Sequence, residues 1–286
     1  MNYEIKRLTP GLYFVATPIG TARDITLRAL DVLASADVIA AEDTRSLRRL
    51  LEIHGVPLNG RQVLAYHDHS GAGARAKLLT LLEAGNSVAY ASEAGTPLIA
   101  DPGYHLSKEA AEAGHLVTSA PGASAVISAL TLAGLPTDAF FFEGFLPNAK
   151  TARRNKLDSL RDIPGTLVFY ESPKRLSEML ADAADVLGAG RSAAVCREIT
   201  KKFEEIKRGS LSELAQELKA APVKGEIVVL IDRAGARELG QDDIEAAVQK
   251  ALETMSVRDA AETVAKATGL NKRKIYALAL DLKSTS

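Results

Sequence analysis

Residues 87–103 read SVAYASEAGTPLIADPG, and their reading decides the fold. Five residues of strand character, 87–91, run into a segment rich in small side chains, with two glycines and two prolines. Small residues at the end of a strand let the backbone come close to a ligand. In an open α/β sheet, ligands bind beyond the carboxyl ends of the strands. The stretch reads as a strand feeding a pocket wall, although its composition alone fits an ordinary strand-to-helix loop equally well.

Outward from it, residues 12–16, 38–41, 63–65 and 116–119 are further short apolar runs. Helical periodicity fills the gaps: Leu27, Leu30 and Leu33 after a cap at Asp24 or Thr26, then Leu47, Leu50 and Leu51, then Leu78, Leu81 and Leu82. Strands alternating with helices predict a parallel sheet covered on both faces. This first α/β domain spans residues 1–120. A second α/β domain, residues 121–235, has candidate strands at 140–142, 166–170, 193–196 and 226–231, and helices at 152–161, 175–186 and 211–219. An extra strand at 204–209, EEIKRG, makes its sheet mixed.

Residues 232–240 read as a linker. Residues 241–286 are purely helical: Val257, Ala260, Ala261 and Val264 form a buried stripe. Ala265 and Gly269, four apart, match a helix-turn-helix, and Asn271 caps the next helix, which carries Ile275, Leu278 and Ala279. Lys272, Arg273 and Lys274 open that helix, where a recognition helix meets phosphates. Seven basic and seven acidic residues cancel in this segment, so a helical cap or a dimerisation element fits it as well as an RNA-binding module.

A chain of 286 residues is long enough for about two cored domains. Its 47% hydrophobic and 25% charged residues are ordinary for a soluble protein. The one cysteine, Cys196, excludes an internal disulfide framework and fits a reducing compartment. With no span-length apolar run and no signal-peptide core, the expected location is the cytoplasm, away from membranes. A net charge of −1 does not advertise nucleic-acid binding, which would rest on local basic clusters.

The common nucleotide fingerprints are absent. The turn after the first strand, ATPIGTARDIT, is not G-x-G-x-x-G, and there is no phosphate-binding P-loop. Tyr66-His67-Asp68-His69 offers two histidines without a cysteine nearby, so no metal site is expected.

Eight motifs in order carry a family resemblance: TPIG (17–20), AEDTR (41–45), YHDH (66–69), SEAGTPLIADPG (92–103), PGAS (121–124), EGFLP (143–147), FYESPKR (169–175) and REITKKFEEIKRG (197–209). Together they resemble the tetrapyrrole methylase family, and within it the branch that methylates the 2′-oxygen of a cytidine in the decoding region of small-subunit (16S) ribosomal RNA. The resemblance runs from residue 12 to 231, and the helical tail fits the same branch. It implies two α/β domains with S-adenosylmethionine, and no metal, in the cleft between them. Pro18 falls where the family's first-turn proline meets the cofactor. Ala94, Gly95, Thr96 and Ile99 match the central binding loop, and Ser124 and Ala125 the contact that opens the second domain. Glu171 and Gly225 fall on strands that would close over the adenosine. The resemblance also implies a homodimer, and 16S ribosomal RNA or the small ribosomal subunit as partner. This chain departs from the branch at Thr21 (for Asn), Glu93 (for Asp) and Ala123 (for Pro).

A sulfonium is already an activated methyl donor, so the protein mainly aligns a nucleophile with it. A ribose hydroxyl gains from a positioned base. The candidates are Glu42, Asp43, His67 and Asp101. Each has a structural alternative: Asp43 and Asp101 as helix caps, His67 as a loop hydrogen-bonder; proton loss to water is a further route. RNA contacts are expected from Arg45, Arg48 and Arg49 on one helix, from Lys150, Arg153, Arg154 and Lys156, from Lys201 and Lys202, and from Lys272, Arg273 and Lys274. Such runs are also commonly solvated faces. A methylase of a tetrapyrrole ring, or a non-catalytic RNA-binding or assembly protein, remain alternatives.

Overall fold

The computed structural model describes residues 2–67, 70, 72–100, 103–234, 241–268 and 270–284. It divides into two compact units, residues 1–234 and 235–286.

The first unit holds two sheets. Strands β1 (Gly11–Val15), β2 (Val38–Ala41), β3 (Val63–Ala65), β4 (Ser87–Ala91) and β5 (Val117–Ala120) form a parallel sheet in the order β3-β2-β4-β1-β5. Central strands β1, β2 and β4 are buried along their whole length, the expected state of a sheet covered on both faces. Pleating sends Ala89 and Ala91 into one cluster with Leu30, Leu33 and Leu51, and Val88 and Tyr90 into another with Leu78, Leu82 and Leu106. Helices α1 (Leu27–Ser35), α2 (Thr44–Ile53), α3 (Ala72–Glu83) and α4 (Tyr104–Glu112) connect the strands.

Local capping explains where these helices start. Thr26 Oγ1 accepts the amide of Ala29 at 3.1 Å, so Thr26, not Asp24, caps α1. Leu27, expected on the buried face, is 63% exposed: it sits in the first turn, and the inward stripe begins at Ala29 and Leu30. The N-cap of α4 is Gly103, and Asp101 lies outside the described residues.

The second sheet contains β6 (Phe140–Phe145), β7 (Thr166–Glu171), β8 (Ser192–Arg197), β9 (Glu205–Ser210) and β10 (Ile227–Ile231), in the order β6-β7-β10-β8-β9. Helix α5 (Ala125–Ala133) packs on one face with Val168, Ala194, Cys196 and Val228. Helices α6 (Lys150–Ser159), α7 (Leu176–Leu187) and α8 (Leu211–Ala220) cover the other with Leu167, Phe169 and Val229. The sheet is mixed, and more so than the 204–209 strand implies. β10 runs antiparallel to both β7 and β8, leaving β6–β7 as the one parallel pair.

Among the described residues the second unit holds three helices, α9 (Gln241–Leu252), α10 (Val257–Thr268) and α11 (Lys272–Ser284). Val248, Ala261, Val264, Ala265, Ile275 and Ala279 make its core. Asn271 Oδ1 accepts the amide of Arg273 at 2.9 Å at the start of α11. Gly269 and linker residues 235–240 lie outside the described residues.

Candidate active site

The carboxyl ends of β1, β4 and β5 carry TPIG, SEAGTP and PGAS, and hydrogen bonds lace the three loops together. Thr17 and Gly95 exchange both backbone bonds, at 2.9 and 3.0 Å. Buried Thr17 donates its hydroxyl to Ser92 O at 3.2 Å, and buried Ser92 donates to Gly95 O at 2.8 Å. Thr96 donates to Ala123 O at 3.0 Å. Gly95 has φ +82°, and a Cβ there would lie 3.2 Å from Ile19 Cγ2. Both facts call for glycine.

Between the two sheets opens a cavity of about 580 Å³. Pro18, Ile19, Gly20, Glu42 and Ala94 line it from the first half, and Ala125, Phe145, Tyr170, Ile199 and Lys201 from the second. A narrower recess of about 60 Å³, lined by Ala94, Gly95, Thr96, Ile99, Ser124 and Ala125, shares Ile19, Ala94, Ala125 and Tyr170 with it. Eight of the nine positions matched to cofactor binding thus border one concavity; the ninth, Gly225, does not line it.

Gly225 is placed differently from its expectation. It precedes β10 rather than lying on a strand, with φ +101°, and a Cβ would fall 2.5 Å from Glu198. Its role is to let Glu198 lie over the turn, where Glu198 Oε1 accepts the amide of Glu226 at 2.9 Å. That amide, with the neighbouring Lys201, holds the Glu198 carboxyl below its usual range. Lys201 Nζ lies 3.1 Å from Glu198 and 2.9 Å from Glu226. Burial opposes the Lys201 charge, but the two carboxylates outweigh it and raise its pKa. Lys201 is therefore an ion-paired strut in the cleft wall.

Glu171 lies on β7 and borders the cleft, but not with its carboxyl. Strand alternation places Tyr170 toward the cleft and the Glu171 side chain on the face of Leu167 and Phe169, where it is fully buried. Glu171 thus offers its backbone to the cleft. Burial pushes its carboxyl up, against a bond from the Ser172 amide at 2.7 Å and the Arg175 guanidinium at 3.3 Å.

The four base candidates separate. Glu42 borders the cleft, and its Oε2 accepts the amide of Glu93 at 3.1 Å. Asp43 caps α2, accepting the amides of Arg45 at 2.7 Å and Ser46 at 3.2 Å. Those bonds hold its carboxyl below the usual range and make it a poor base. His67 is exposed, its amide bonded to Ser70 Oγ at 2.8 Å, and it is not among the residues lining the cleft. Asp101 lies outside the described residues.

Of the basic candidates, Arg45, Arg48, Arg49, Lys150, Lys202, Lys272, Arg273 and Lys274 are exposed. Arg153 is not: it is 2% exposed, with Nε and Nη2 each 2.8 Å from Asp182 Oδ2. An arginine locked under α7 cannot meet RNA. Arg154 is held by Asp182 at 3.2 Å and Asp185 at 2.9 Å, and Lys156 by Glu143 at 2.8 Å. Lys272 pairs with Glu262, leaving Arg273 and Lys274 at the start of α11 without an ion pair among the described residues.

Ile19, Phe145, Tyr170 and Ile199 also line the cleft, beyond the site residues expected from the sequence. Each stands beside or inside a quoted motif, and the apolar residue flanking a small-residue turn was the available signal. Of the departures, Thr21 donates to Thr200 O at 2.8 Å, and its amide donates to Thr200 Oγ1 at 3.2 Å. It therefore ties the first-strand turn to the second half.

A parallel sheet and a mixed sheet closing on a loop-lined cleft define a two-domain α/β methyltransferase fold. The same fold occurs in a cobalamin biosynthetic enzyme, cobalt precorrin-4 methyltransferase, at TM-score 0.59 and 17% identity over 77% of this chain and 94% of that one. It occurs also in uroporphyrin-III C-methyl transferase from Thermus thermophilus complexed with S-adenosyl homocysteine, at TM-score 0.54 and 17% identity over 78% and 98%. The chain belongs to the tetrapyrrole (corrin/porphyrin) methylases: that family's model matches residues 11–215, and a model of the RsmI C-terminal HTH domain matches residues 238–283. It is 47% identical to the ribosomal RNA small subunit methyltransferase I of Mesorhizobium japonicum, over 98% of this chain and 94% of that protein. It is 42% identical to the protein of that name from Vibrio cholerae, over 98% of each.

Gly95→Ala is expected to weaken S-adenosylmethionine binding about 5- to 150-fold, the size of one strained left-handed residue. Titration calorimetry reads the loss directly.

Proposed function

We propose that this protein transfers a methyl group from S-adenosylmethionine to the 2′-oxygen of a cytidine in the decoding region of 16S ribosomal RNA. Near-full-length similarity to small-subunit ribosomal RNA methyltransferases is the observation that carries the reading. The cleft suits the cofactor: glycine and alanine leave backbone groups open, Ile19, Tyr170 and Ile199 give apolar walls, and Gly95 admits no side chain.

When bound, S-adenosylmethionine supplies an electrophilic methyl group. The residues of the chain do the rest. The Thr17–Gly95 bridge and the Thr96–Ala123 bond hold the cleft wall in one geometry before the ligand arrives. Glu42, fixed by the Glu93 amide, takes the proton of the ribose hydroxyl. Glu93 acts here through its backbone, so its extra methylene relative to Asp leaves that bond intact. Arg45, Arg48 and Arg49 project from α2, whose first turn supplies Ser46 to the cleft, and they meet RNA phosphates at its mouth. The protein acts as a homodimer in the cytoplasm, on 16S RNA or the small subunit.

Labelled methyl transfer from S-adenosylmethionine to small ribosomal subunits, with the product mapped, tests the activity. Incorporation at a cytidine 2′-oxygen is expected; cofactor binding without incorporation into RNA or subunits would overturn it. A chain ending at Ala234 is expected to bind cofactor normally and to engage subunits at least about tenfold more weakly, because Arg273 and Lys274 are removed with the second unit. Equal loss in both assays would instead make residues 241–286 a structural cap.

A further inference from the structure

We propose that Phe145 is the platform on which an unpaired nucleobase of the RNA substrate stacks as its ribose enters the cleft; this deepens the RNA-methylating reading above and rests on it. In an unbroken strand, residues 142 and 145 would point to opposite faces of the sheet. Here the register slips. Phe142 pairs with Val168, but Gly144 pairs with Phe169 and Phe145 with Tyr170. Gly144 takes φ +77° at this bulge, and its would-be Cβ meets nothing within 4 Å, so conformation rather than crowding selects glycine there. One inserted residue returns Phe145 to the face of Phe142, and both rings lean on Tyr170. Phe142 lies 4.9 Å from it at 67°, and Phe145 5.7 Å at 63°. Bulges beside functional sites commonly re-aim a side chain in this way.

The destination is informative. Phe142 packs against the core, whereas Phe145 stays 58% exposed and lines the cleft. Holding a phenyl ring out of the core forgoes the stability of burying it, unless something covers it in the working state. Tilted against Tyr170, the Phe145 ring has no parallel stacking partner among the described residues. It borders the wider compartment, with Glu42, and not the narrow recess. Exposed Lys150 follows at the start of α6, while Lys156 is already paired with Glu143. A ring for a base, followed along the chain by an exposed cation for the backbone, fits the way proteins hold single-stranded RNA.

The test measures kcat/KM for small ribosomal subunits, co-sedimentation with those subunits, and the dissociation constant for S-adenosylmethionine. F145A is expected to lower kcat/KM and subunit binding by about 5- to 150-fold, the range for loss of one base–aromatic stack. F145Y is expected to retain both, and cofactor affinity to stay unchanged in each variant. A matching loss of cofactor affinity in F145A would assign the ring to the adenine and overturn the proposal. Unchanged subunit engagement in F145A would overturn it as well. Wild-type protein that binds subunits but transfers no methyl would defeat the activity, while weaker binding by F145A would still uphold the platform.

Discussion

Glu42→Gln is expected to slow methyl transfer about 10²- to 10⁴-fold, the usual worth of a positioned general base. The amide side chain keeps an oxygen for the Glu93 amide that Glu42 now accepts at 3.1 Å, so the loop stays in place. Only the ability to take a proton is lost. Single-turnover transfer to small subunits should fall while the dissociation constant for S-adenosylmethionine holds. Asp43→Asn, at the adjacent helix cap, serves as the contrast: its bonds to Arg45 and Ser46 order α2, and the chemical step should change little. A rate within about tenfold of wild type for Glu42→Gln would leave the proton to water or to another group and remove Glu42 from the mechanism.

The second large effect concerns stability. Arg153→Met is expected to cost about 3–5 kcal/mol, because it leaves Asp182 buried with part of its charge uncompensated. Asp182 is 4% exposed, and its other partner, Arg154, lies at 3.2 Å on the rim. The double variant Arg153→Met, Asp182→Leu should recover most of the loss, since an apolar pair of similar volume carries no desolvation penalty. Urea unfolding of the two variants measures both values. If Arg153 were instead an RNA contact, the single variant would unfold like wild type and lose subunit affinity.

These two residues mark how far the sequence can be read. Glu42 was legible as a candidate because it stands in AEDTR, just after the apolar run 38–41, where the family resemblance implies the cleft. β2 and β4 match residues 38–41 and 87–91 because strands buried on both faces read as continuous apolar runs; β3 matches 63–65 as a partly exposed edge strand. Arg153 was misread because KTARRNK is a basic run on a helix, and most such runs are solvated. Its partner lies 29 residues away on another helix, and no local pattern announces it. The choice between Glu42 and Asp43 likewise needed the hydrogen bonds, which hand one to the cleft and the other to a helix terminus.

The division follows the range of the forces. Helix periodicity and short apolar runs act over a few residues, so the two α/β layers and the helical tail can be read from the chain alone. SEAGTP as a pocket wall and the caps at Thr26 and Asp43 needed the hydrogen bonds of the folded chain. Strand order, the antiparallel β10, the bulge that turns Phe145 into the cleft and the Thr21–Thr200 tie between residues 179 apart arise from pairing across the folded chain. Those pairings gain free energy only once distant segments have met, and no stretch of sequence carries them by itself.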